Sequence, residues 1–249
     1  MSDEGGFLKV GLTSPPLSTA SSTITPSLPH PRNHSLISGS PKEANFIRFV
    51  NQSIDRIQKR YANRSGSDEP QLDENGYTSF KQAGEDFERL VDMVWVSGTP
   101  SLQITFLLSV AFLVQTYIPS LSPAPKTMFR LLDKLDVAFA SLLQGRNIDS
   151  GEPLPGFETG KGVTGTEKVR IKSIADNSRV AVVHRMSKSH VEPESDVEGT
   201  DDAEASMEEY PIDDDLLGEN DFAMNVARVY DRTTVELGDQ LGGDATNQG

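Results

Sequence analysis

The chain has 249 residues, a formal net charge of −14 and no cysteine. The length suits one or two domains, and the missing cysteine excludes disulfides, thiol catalysis and Cys-ligated zinc, as suits a reducing compartment. The charge is uneven, net +1 over residues 1–42, 0 over 43–187 and −15 over 188–249. The acidity therefore belongs to the C-terminal part. It argues against wrapping nucleic acid, since phosphate binding wants clustered Lys/Arg, and no direct nucleic-acid binding is expected.

Residues 1–40 are rich in Ser, Thr and Pro. Such a segment buries too little apolar area to offset its chain entropy, and a disordered arm is expected. The opening MSDEGGFLKV has no basic stretch leading into an apolar one, so no secretory signal is expected there. The sequons at Asn33, Asn51 and Asn63 are then chance matches, while Ser14-Pro15, Thr25-Pro26 and Ser40-Pro41 are candidate proline-directed phosphosites.

Ser40-Pro41-Lys42-Glu43 reads as the start of a helix, with a Ser cap, Pro at the first position and Glu completing a capping box. Ile47, Val50, Ile54, Ile57 and Tyr61 follow at helical spacing. Arg48, Arg56, Lys59 and Arg60 lie opposite, as a solvated basic face. After the polar linker 62–76, Ser79 and Gln82 form a second capping box. Phe80, Ala83, Phe87, Leu90, Val91 and Val94 make its stripe, and Gly98 stops it.

Thr99-Pro100 opens a third helix, apolar nearly all round from Leu102 to Ile118 and ended by Pro119. A membrane span is the sharp alternative, but the run is shorter than the roughly 20 residues a span needs. No membrane partner is expected, and the better reading is a central helix covered on most sides. A fourth helix follows Ser122-Pro123. It buries Met128, Leu131, Leu132, Leu135, Phe139, Leu142 and Leu143, presents Arg130, Asp133, Lys134 and Asp136 on a mixed-charge face, and is capped by Gly145.

Residues 145–165 form a Gly/Pro-rich loop. Thr164 and Glu167 make a third capping box. Residues 166–187 read either as a helix or as a hairpin. Lys168–Lys172 alternates, yet Ala175–Ser178 lacks the glycine a tight turn favours, and a helix is preferred. Residues 188–220 are acidic and expected to be disordered. Asn220 then caps a short helix near 220–237, with Phe222, Val226, Val229, Thr233 and Leu237 on one face. The expected architecture is all-α, a small helical bundle of about five helices over 41–187. A disordered arm precedes it, and an acidic, disordered 188–249 with that one short helix follows.

No catalytic, cofactor-binding or metal site is legible, and an enzyme is not expected. Gly160–Gly165 fits G-x-G-x-x-G, but no strand precedes it. His30, His34, His184 and His190 stand in no metal pattern. The most suggestive interaction element is Glu208–Leu217. There Tyr210, Ile212, Leu216 and Leu217 interleave with Asp213, Asp214 and Asp215, so that acids steer and apolar side chains anchor. The same composition would equally serve as a solubilising tail. Trp95, Phe106, Leu135 and Phe139 are candidates for core or interface.

Leu90-Val91-Asp92-Met93-Val94-Trp95, followed by Leu132-Asp133-Lys134-Leu135-Asp136-Val137-Ala138-Phe139-Ala140-Ser141-Leu142-Leu143, resembles the fungal family of TFIIH subunit 11. That family pairs a helix ending in a buried Trp with a later Leu-Asp-x-x-Phe-x-x-Leu-Leu run. The resemblance covers about residues 43–187. It implies a non-catalytic nuclear accessory subunit of general transcription factor IIH that binds the XPB-type translocase subunit and promotes its release after initiation. It also suits an acidic-aromatic contact of Tyr210 and its neighbours with the pleckstrin-homology domain of a TFIIH core subunit. A helical scaffold or adaptor of another nuclear complex is the alternative.

Overall fold

The computed structural model describes residues 28–65, 76–158, 162–189 and 219–242, and among them no strand is present beyond two isolated bridges. The helices are α1 (Pro41–Ala62), α2 (Phe80–Val96), α3 (Pro100–Tyr117), α4 (Pro125–Gln144), α5 (Gly165–Ser189), α6 (Glu219–Arg228) and α7 (Asp231–Gly242). The all-α expectation holds, and the segment that could have been a hairpin is α5.

Local chemistry explains most boundaries. The Glu43 N–H donates to Ser40 Oγ at 3.2 Å, and the Glu43 carboxylate reaches back to the Gly39 N–H at 2.6 Å. At α5 the capping box is fully reciprocal, with the Glu167 N–H on Thr164 Oγ1 at 3.3 Å and the Thr164 N–H on Glu167 Oε2 at 2.8 Å. Two expected caps are used differently. Ser79 makes no side-chain cap bond and instead bridges to Ser122 through the backbone, while Gln82 accepts the Thr78 N–H. Thr99 Oγ1 accepts the Leu36 N–H at 2.8 Å and donates to the Ser97 carbonyl at 3.0 Å. Gly145 ends α4 at φ +69°, the left-handed conformation that only glycine adopts freely.

The helices close into a ring. α4 packs against α2, α2 against α3, α3 against α5, α5 against α7 and α7 back against α4, with α1 laid over α2 and α3. One continuous cluster of buried side chains runs from Leu28 through all of these helices to Val229, Tyr230 and Leu237. Packed residues thus lie on both sides of the 41–187 range. Ahead of it, the Arg32 N–H donates to the Val96 carbonyl and Ser35 Oγ to the Gly98 carbonyl. That holds the last part of the expected arm against the α2–α3 junction. The rest of that arm, and residues 190–218 of the acidic stretch, lie outside the described residues.

Two readings are corrected here. The face of α4 that carries Arg130, Asp133, Lys134 and Asp136, read as lying opposite the buried one, is itself largely covered by α2 and α7. Lys134 is buried and meets the Asp92 carboxylate on α2 at 2.7 Å, Arg130 reaches Glu88 at 2.7 Å, and Asp136 is fully buried beneath α7. α4 is consequently the most enclosed helix, whereas α3 keeps an exposed stripe at Ser101, Thr105, Ser109, Phe112 and Thr116. The short helix read at 220–237 is two helices broken at Val229–Tyr230, where Tyr230 takes φ +53°. Tyr230 turns its ring fully into the core at that break, and Asp136 caps the new N-terminus. Val229, Thr233 and Leu237 are buried as read, while the Phe222 side chain lies outside the described residues.

Candidate protein-interaction groove

Of the four residues read as core or interface, Trp95, Leu135 and Phe139 are wholly buried. The Trp95 carbonyl accepts the buried Gln103 Nε2–H at 2.8 Å, which locks the end of α2 to α3. Phe106 is different. It packs edge-on against Phe46 of α1, ring centroids 6.4 Å apart, and also forms part of a surface groove.

That groove is an open trough of about 660 Å³ between α1, α3 and α5. Its floor is apolar, built from Ile54, Phe106, Leu108, Leu113 and Ile174, with Phe112 standing half out of it at 56% exposure. Its rims are neutral or nearly so. Asn51 and Gln58 line the α1 side, Thr105 and Ser109 the α3 side, and Glu167, Arg170 and Ser173 the α5 side. No sequence motif marked this site. The signal that could have found it was Phe112, an aromatic in register with the hydroxyl residues Ser101, Thr105, Ser109 and Thr116 along one helix face.

The strongest electrostatic cluster lies elsewhere, under α7. The Asp136 carboxylate accepts the N–H groups of Thr233 at 2.8 Å and Arg232 at 3.2 Å, and the Arg232 guanidinium bridges Asp133 and Asp136. Burial pushes the Asp136 carboxyl up, against the opposing pull of the Thr233 and Arg232 hydrogen bonds. These donors satisfy a carboxylate and the first amides of a helix at once, which is a docking arrangement. A second cluster joins α1 to α2. Tyr77 Oη donates to Asp86 at 2.9 Å beside Arg60, whose guanidinium lies 4.3 Å from the Tyr77 ring centroid.

Among the described residues no group of three or more His, Asp or Glu could hold a metal ion. The glycine-rich stretch lies partly outside them, at 159–161. Where it is described it follows a loop and opens α5, whose first turn already holds the Glu167 carboxylate where a phosphate would sit. His30 faces Glu152 at 3.6 Å across a smaller cavity, and His190 lies outside the described residues. The acidic peptide with Tyr210, Ile212, Asp213, Asp214, Asp215, Leu216 and Leu217 also lies outside them.

The chain matches the family described as subunit 11 of the general transcription factor TFIIH over residues 76–238, from just before α2 into α7. No curated protein and no solved structure matches it.

Proposed function

From the premise that this chain belongs to the TFIIH subunit 11 family, we propose that it is a non-catalytic accessory subunit acting in the nucleus. It binds the XPB-type translocase subunit and promotes its dissociation from TFIIH after transcription initiation. Its partners as a member of the family are proteins within TFIIH. The observation that carries this reading is the family match across α2–α7, the ring of helices that forms the core. The groove over α3 supports it, because an open apolar trough with neutral rims suits protein contact better than catalysis.

We propose a second contact through Glu208–Leu217, in which Tyr210, Ile212, Leu216 and Leu217 anchor and Asp213, Asp214 and Asp215 steer the peptide to a basic surface such as the pleckstrin-homology domain of a core subunit. Adding the full chain to purified TFIIH should move the translocase subunit into a separate, smaller complex on size-exclusion chromatography. A translocase that stays with the core at saturating chain would refute the release activity. For the second contact, a 200–222 peptide should shift amide resonances of that domain, and an unchanged spectrum would eliminate it.

A further inference from the structure

The groove between α1, α3 and α5 has features that select its occupant. Its α3 rim is built of hydroxyls that already use their protons within the helix. Thr105 Oγ1 donates to the Ser101 carbonyl at 2.7 Å and Ser109 Oγ to the Thr105 carbonyl at 3.0 Å. Burying them removes no unmet donor, and their short side chains let another backbone approach to the 8–10 Å typical of packed helices. The floor below is apolar, and Phe112 at 56% exposure carries that apolar surface up to the α3 rim, so the two form one patch.

Charge narrows the choice. Among the described residues the groove holds one acid, Glu167, and one base, Arg170. The Glu167 carboxylate is committed to the Thr164 N–H at 2.8 Å and to its hydroxyl at 2.8 Å. Arg170 makes no ion pair or hydrogen bond among the described residues. A segment that fills the trough and carries a carboxylate beside its apolar face satisfies both floor and rim, while one carrying Lys or Arg there is repelled. A lipid surface would call for several basic residues around the apolar patch. A second copy of this chain would set one concave face against another and leave both troughs unfilled. The groove is flanked by helices on both sides and offers no sheet edge, so an extended strand gains no backbone partners.

We propose that this groove docks one amphipathic helix of a protein partner, its apolar stripe over Phe106 and Phe112 and an acidic residue flanking that stripe on Arg170. The inference requires that the chain act through protein contact, but not that any given TFIIH subunit supply the helix.

The test uses the full chain and two labelled peptides of about 18 residues, five helical turns. Both carry Leu at helical spacing, with Glu in one and Lys in the other at the flanking position. In fluorescence anisotropy at low salt the Glu peptide should bind about two- to fivefold more tightly than the Lys peptide, the range of one exposed ion pair. Arg170→Glu should invert that order. Phe112→Asp should abolish binding of both while leaving the circular-dichroism melt of the chain in place. No binding by either peptide would overturn the proposal, as would an order unchanged by Arg170→Glu or affinities unchanged by Phe112→Asp. So would sedimentation showing a dimer of the wild-type chain that Phe112→Asp dissociates, which would assign the groove to a second copy.

Discussion

The Asp136 carboxylate accepts the Thr233 N–H at 2.8 Å while Thr233 Oγ1 donates to the Asp136 carbonyl at 3.2 Å, a reciprocal pair joining α4 to the first turn of α7 across nearly a hundred residues of chain. Arg232 adds its own N–H and guanidinium to the same carboxylate. Asp136→Ala should therefore destabilise the domain by about 1–3 kcal/mol, because it leaves buried donors without acceptors. Thr233→Val should lose about 0.5–1.5 kcal/mol. Urea unfolding measures both. Hydrogen exchange in Asp136→Ala should show α7 amides opening before those of α2 and α4.

Trp95 and Phe112 make a contrasting pair of large side chains. Trp95 is wholly buried and Phe112 is 56% exposed. Trp95→Ala should lose roughly 3–5 kcal/mol. Phe112→Ala should change stability by no more than about 0.5 kcal/mol. Chemical denaturation of the two variants gives the comparison directly. A stable Trp95→Ala chain would mean that the C-terminal end of α2 faces a partner instead of the core.

α2 and α4 approach closely at Gly84, where an added Cβ would lie 2.5 Å from Thr127 Cγ2. Thr127 is β-branched and stiff, so it cannot swing aside cheaply. Gly84→Ala should destabilise by about 1–3 kcal/mol through overpacking. Gly84→Ala combined with Thr127→Ser should recover part of that loss, as read by thermal unfolding.

The pH dependence has two limbs of the same sign. Burial raises the Tyr117 hydroxyl to about 12, with Tyr61 adding to the shift. Burial raises Tyr77 and Tyr230 further still. An acid held above its unfolded value stabilises the fold fully below the unfolded pKa, and that contribution is lost as pH rises through the folded one. In an alkaline titration followed by tyrosinate absorbance, these three residues should ionise late and together with unfolding. Asp136 is raised as well, so its contribution to stability declines as pH rises above the ordinary carboxylate range through its own raised value. The stability difference between wild type and Asp136→Asn should shift against wild type over that window, as denaturant midpoints at a series of pH values would show.

Helix identity was legible because its signals are local. Ser40 with Glu43, Pro100, Gly145, and Thr164 with Glu167 each act within a turn of the residue they mark, and the apolar stripes of α1, α2 and α4 repeat at helical spacing. Burial of Trp95, Leu135 and Phe139 followed from the same periodicity. Ser79 and Thr99 were read as ordinary caps, but each was claimed by a distant partner, Ser122 and Leu36. Which distant group the Ser79 backbone or the Thr99 hydroxyl meets is not written within one turn.

The groove was not legible, because it exists only where α1, α3 and α5 come together. Phe112 by itself reads as one more apolar residue of a hydrophobic helix. Its exposure depends on which side of α3 its neighbours cover. Conversely, the exposed stripe explains how α3 combines a long apolar composition with hydroxyls that are self-satisfied along one face.

By itself the sequence determined that this protein is helical, where most of its helices begin and end, and that its acidity is confined to its C-terminal quarter, since capping, periodicity and composition are local properties of the chain. Only the tertiary structure decided that α7 closes the ring. Its apolar residues are few and set among acids, so composition reads it as part of a tail. What holds it is Asp136, a buried carboxylate whose donors, Arg232 and Thr233, arrive from the other end of the domain. A buried charge is tolerable only when such partners are in place, and their arrival is a property of the fold, not of any stretch of sequence.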